Sequence, residues 1–126
     1  MQGEHQPEKL QSQDMEHFQM EIDLKHKLIE FDEKKVNIVS KNELTFTFSS
    51  NMIKKIIFYS EEPNSYLMLF YFGLEQGLVA YATTEPRRPY YFKRINTMLG
   101  LIEQISAGQE QAPIEITLYF SKGLHK

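Results

Sequence analysis

Cysteine and tryptophan are both absent from this chain of 126 residues. Without cysteine there are no disulfides, no thiolate metal ligands and no thiol nucleophile, so stability must come from a packed core. Long apolar runs are absent too. The longest, Tyr66 to Gly73, falls far short of the roughly 18 residues of a membrane span. The first fifteen residues are polar and hold no signal-peptide core, and no Asn-x-Ser/Thr sequon occurs. The expectation from these absences is a cytoplasmic protein that makes no membrane contact.

Motifs of catalysis and cofactor binding are missing as well. The four histidines (His5, His17, His26 and His125) include no pair at i, i+4 spacing and no HExxH. There is no GxSxG elbow to raise a serine nucleophile. Gly73 and Gly77 flank a turn and open no helix, so they match neither a P-loop nor a dinucleotide fingerprint. The acid pairs Asp32-Glu33 and Glu61-Glu62 fall in turns, where carboxylates are simply hydrated. No cofactor or metal is expected, and the chain reads as non-enzymatic.

What is present is a core-forming composition, 41% hydrophobic with nine Phe and seven Tyr. A chain this apolar folds, and at this length it forms one domain. Residues 1–15 read as a polar, disordered tail or short helix, 16–121 as a single domain and 122–126 as a short tail. Net charge is −3, unevenly spread. Residues 1–35 hold nine acids and five bases, whereas residues 86–126 hold three acids and six bases.

Residues 17–31 pose a conflict of periods. Phe18, Met20, Ile22 and Leu24 alternate with polar residues, as in a half-buried strand. Wound as a helix, the segment splits its apolar residues. Met15, Phe18, Ile22 and Ile29 fall on one side, and Met20, Leu24, Leu28 and Phe31 on the other. A helix would need cover on both sides and a strand on only one, so the expectation is a strand, with His17, Glu21, Asp23 and Lys25 on its wet face. Residues 28–33 read as a second strand or an extension of the first, and 36–40 as a short strand. Lys41-Asn42 reads as a turn, and Leu44, Phe46 and Phe48 as one face of a further strand. Residues 53–60 follow as a strand. Residues 66–73 are apolar on both alternations and read as the central strand. Residues 78–84 read as its hairpin partner, with Ala80 and Ala82 leaving room for a helix.

Pro86 and Pro89 then introduce an amphipathic helix over about 89–107. Its stripe is Tyr91, Ile95, Met98, Leu99, Ile102 and Ile105, and Gly108 ends it. Residues 114–120 alternate as a last strand. The expected fold is α+β: a mainly antiparallel sheet of six to eight strands, covered by that C-terminal helix and followed by a final strand. A small curled barrel capped by a helix, similar in element order to pleckstrin-homology-like folds, is the alternative.

One segment carries a chemical signal. Residues 86–94 read Pro-Arg-Arg-Pro-Tyr-Tyr-Phe-Lys-Arg, four cations and three aromatics at the expected helix start. Cations there oppose the helix dipole unless an anion joins them. Arg87, Arg88, Tyr90, Lys93 and Arg94 are the candidate site, for phosphate or for a partner's carboxylates. The expected function is protein interaction, with self-association through a sheet face or edge strand. Alternatives are a nucleic-acid module using residues 87–94 and a small enzyme with a pocket between helix and sheet.

Overall fold

The most apolar stretch of the sequence lies at the middle of the sheet. The computed structural model describes residues 5–50, 52–107 and 114–121. The chain runs α1 (His5–Ile29), β1 (Asn37–Val39), α2 (Lys41–Ser49), β2 (Lys55–Glu62), β3 (Ser65–Tyr71), β4 (Leu78–Tyr81), β5 (Tyr91–Phe92), α3 (Ile95–Ser106) and β6 (Glu115–Phe120). The strand order is β1-β4-β3-β2-β6, and β5 pairs with the start of β3. Residues 67–71 of β3 are all buried, as a strand covered on both faces requires.

The sheet is mixed, with two of its five strand pairings among the described residues parallel, and it is open, not a closed barrel. β2, β3 and β4 form the antiparallel meander expected from their short turns. In the β2–β3 turn, Pro63 is followed by Asn64 at φ 59°, a residue that tolerates the left-handed region. In the β3–β4 turn, Gly73 and Gly77 take φ values of 115° and 75°. β1 runs parallel to β4, and β6 runs parallel to β2. Parallel neighbours need a crossover. α3 supplies one, carrying the chain from β5 to the far side of β2.

Three helices are present among the described residues where one was expected. Residues 17–29 belong to α1 and are not a strand, and residues 28–33 are neither a second strand nor an extension of the first. The polar segment 1–15 contributes residues 5–15 to the same helix. Leu24 and Leu28, one turn apart, bury against Ile57, Leu69 and Tyr71 of the sheet. Tyr71 donates a 2.6 Å hydrogen bond from its hydroxyl to Asp23 Oδ2, and Lys27 Nζ reaches Asp23 Oδ1 at 2.7 Å. Beyond the helix, the Phe31 ring packs 4.8 Å from that of Tyr59.

α2 replaces the strand expected over residues 44–48. Ser40 and Glu43 stand at the spacing of a capping box, and Glu43 Oε1 accepts the Ser40 backbone N–H at 2.8 Å. Lys41-Asn42 is therefore the first turn of a helix and not a hairpin turn. Winding separates the three apolar residues. Leu44 and Phe48 bury on the sheet, and Phe46 faces outward.

α3 begins at Ile95, later than the expected 89, because residues 91–92 pair with β3. Pro86 and Pro89 lie in the loop before it. The expected stop at Gly108, the loop 109–113 and the tail 122–126 lie outside the described residues. Met98 and Ile105 bury beside Phe58, Met68 and Phe92. The result is three layers, with α1 on one face and α2 and α3 on the other. Ala80 packs on the α1 side, in the cluster that holds Leu24 and Leu28. The helix that uses the room it leaves is therefore α1 and not α3.

Candidate interaction surfaces

The basic-aromatic segment forms a loop, not a helix start. It leaves β4 and returns as β5, closed by an Ala82–Pro89 bridge. The Thr83 N–H donates to the Arg88 carbonyl at 3.0 Å, and the Tyr90 N–H donates to the Tyr81 carbonyl at 3.0 Å. Thr83 Oγ1 also donates to the Pro86 carbonyl.

This loop sends the five candidate residues to different tasks. Arg87 points back at α2. Its Nη1 lies 3.0 Å from Glu43 Oε1, and its Nη2 donates to the Ile38 carbonyl at 3.1 Å. The Ser40 backbone N–H and then Arg87 hold the Glu43 carboxyl below its ordinary range. Arg87 thus ties the loop to the capping box and is not held ready for a ligand. Arg88 and Lys93 are exposed, with no charged partner among the described residues. Arg94 is the N-cap residue of α3, in extended backbone conformation and with no side-chain cap bond.

Tyr90 joins an aromatic cluster. Its ring stands edge-on to Phe92, centroids 4.8 Å apart, and to Tyr81 at 6.3 Å. Edge-to-face geometry is favourable for such rings. Burial, and then Tyr90, push the Tyr81 hydroxyl up, so it stays neutral. The three rings and Leu101 of α3 border an open cleft of about 330 Å³. At its rim Lys41 Nζ donates to Gln104 Oε1 at 2.8 Å. The cleft can offer a ring edge and neighbouring cations to a planar or anionic group. No acid–base pair lines it.

The wet strand face expected from His17, Glu21, Asp23 and Lys25 does not exist. On the helix, His17 pairs with Glu21 at 2.8 Å, while Asp23 turns inward to Tyr71. Among the described residues no group of three His, Cys, Asp or Glu could hold a metal ion. No helix among them is long and apolar enough to cross a membrane.

Two apolar surfaces stand apart from the basic segment. The first is β6, which ends the strand order and pairs only with β2 among the described residues. Lys55 and Glu115 brace that pairing at 3.4 Å. Ile116 and Leu118 point to the α2–α3 face but lie beyond its cover, 42% and 44% exposed. The second is the outer side of α1, where Met15 is 62% exposed, Phe18 62%, Ile22 43% and Ile29 69%. The sequence pattern placed Phe18 and Ile22 in a strand, Ile29 in the segment after it and Met15 in the polar tail. Their signal was visible nonetheless, in the split of apolar residues onto two helix faces. No family model, no curated protein and no solved structure matches this chain.

Proposed function

We propose that this domain is a non-enzymatic interaction module whose open β6 edge takes a further strand, from a protein partner or from a second copy. Both sheet faces are occupied by helices, so association through a sheet face gives way to association through the edge. One observation carries the reading. β6 is a six-residue edge strand with two half-exposed apolar residues on one face, and its only charge is already paired with Lys55. Natural edges that must stay unpaired are shortened, bulged or guarded by lysine or proline, and β6 has none of these guards. The opposite edge, β1, is only three residues long. Adding a strand would pair the outer backbone edge along residues 116–118 of β6 and cover Ile116 and Leu118.

Thr117→Pro tests this, since proline removes a donor from the strand and is disfavoured in a paired ladder. Strand addition predicts that a parent chain captures an extended peptide or self-associates, and that the variant does neither while keeping its circular dichroism spectrum. A parent whose β6 amides exchange as slowly in dilute isolation as those of β3 would contradict an open edge.

A second reading, single-stranded nucleic acid at the aromatic cleft, is favoured by the half-exposed Tyr90 between Arg88 and Lys93. It predicts salt-sensitive retention on single-stranded DNA that the Arg88→Ala/Lys93→Ala double variant loses. Arg87 is left intact in this test because it holds the loop.

A further inference from the structure

We infer that the bare outer stripe of α1 is a homodimer seam, closed by α1 of a second copy running antiparallel across a two-fold axis at Ile22. This goes beyond strand addition at β6 and does not depend on it.

The first ground is the degree of exposure. Met15, Phe18, Ile22 and Ile29 lie on one side of the helix, while Leu24 and Leu28 on the opposite side are buried. Single exposed apolar residues need no explanation, but a contiguous stripe of large ones marks an association surface. The second ground is support. Among the described side chains, the packing of α1 on its own sheet begins at Met20. Residues 15–19 are all exposed, and Phe18 borders an open cleft beside Lys55 and Tyr119 of the sheet without being buried in it. Helices without tertiary contacts are marginal in water, and a partner along the stripe supplies the missing contact.

The third ground identifies the occupant. The stripe residues are spaced 3 and 4 apart from Met15 through Phe18 to Ile22, and Lys25 and then Ile29 continue the pattern, which is the spacing of a helix–helix seam. The stripe is also symmetric about Ile22. Met15 lies seven residues before it and Ile29 seven after, about two helical turns each way. An antiparallel copy therefore sets Ile22 on Ile22, and Met15 on Ile29 at both ends. Phe18 then lies along the aliphatic stem of Lys25 from the other chain. A two-fold contact needs a patch complementary to itself, and this register provides one.

The stripe supplies most of the area that a small dimer interface needs. Taking about 200 Å² as the full area of a large side chain, the four residues expose on the order of 450 Å² per protomer at their observed exposures. A pair buries at most roughly 900 Å² from these residues, short of the about 1,200 Å² of a standard interface, so flanking side chains along the helix must supply the rest.

The absence of cysteine makes the test clean. Ile22→Cys puts one thiol at the proposed axis, and Leu74→Cys, on the β3–β4 turn and similarly exposed, is the control. Under mild oxidation the first should form a disulfide dimer rapidly and the second should not. Sedimentation across a concentration series should show the parent as a dimer. Ile22→Glu should weaken that dimer by at least about 100-fold, because two carboxylates would meet at the axis, without changing the helical dichroism. A monomeric parent overturns the inference. So does a dimer that tolerates Ile22→Glu, or equal cross-linking of the two cysteine variants. Thr117→Pro should leave the seam intact, so loss of strand addition alone would not touch this proposal.

Discussion

Asp23 joins a polar group that anchors α1 to the sheet. Burial pushes its carboxyl up, but hydrogen bonds from Lys27 and Tyr71 outweigh that and hold it below its ordinary value. Tyr71 is pushed up by burial and by Asp23, so it remains a donor through the neutral range. The sign of the pH dependence follows. A carboxyl depressed in the fold contributes stability above its unfolded pKa, and that contribution is lost as pH falls through the folded value. Asp23→Asn should therefore cost about 1 kcal/mol at pH 7. The deficit should shrink toward zero at a pH well below the depressed folded value, where the parent carboxyl also takes up its proton. Urea melts of both chains at the two pH values check this, and a deficit that stays constant with pH would remove the ionic role. Arg87 shows how composition misleads at this scale. Its cluster of cations and aromatics suggested a ligand site, yet its guanidinium is occupied by Glu43 and the Ile38 carbonyl. Charge partners 44 residues apart in sequence leave no local trace.

At the scale of elements, α1 and α2 were the two that sequence reading took for strands. In both, apolar residues at i, i+2 and i+4 imitate a strand face. A helix can bury i and i+4 and leave i+2 in water, which is what Leu44, Phe46 and Phe48 do. The capping box Ser40-Lys41-Asn42-Glu43 was the local signal that could have distinguished them. Glu43→Ala removes the acceptor for the Ser40 N–H and the partner of Arg87. It should cost about 1 to 2 kcal/mol, seen as a lower denaturation midpoint with unchanged slope. For α1, the test is a pair of neighbours. Leu28→Ala should destabilise by about 2 to 4 kcal/mol, since it empties a packed site. Ile29→Ala, on the bare side, should cost under about 0.5 kcal/mol to the fold itself. A strand would show the same contrast, so it must be joined to Leu24→Ala. Leu24 and Leu28 are both large losses in either case, but Phe18→Ala, on the same strand face as Leu24, should cost the fold of the protomer itself under about 0.5 kcal/mol only in a helix.

For the whole molecule, three layers share one central pair of strands. β2 and β3 face α1 through Ile57, Leu67 and Leu69, and α2 and α3 through Phe58, Met68 and Phe70. Opening these strands disturbs both cores at once, so their amides should exchange only on global unfolding. Hydrogen exchange should rank residues 56–59 and 67–71 slowest, and residues 83–88 among the fastest of the described chain. Rapid exchange in β3 would contradict its central place.

The sequence by itself determined the α+β class, and it located the meander 55–81, the helix ending near 106 and the final strand at 114–120. It did so because burial on both faces, glycine turns and 3.6-residue stripes are local patterns. Only the tertiary structure decided that residues 17–29 and 41–49 coil, that β1 and β6 lie parallel to their neighbours, and that Arg87 is structural. Each of those outcomes turns on which surface meets which partner across the fold. In α1 the two apolar faces were legible, but that one rests on the sheet and the other faces outward depends on three-dimensional packing that no local pattern encodes.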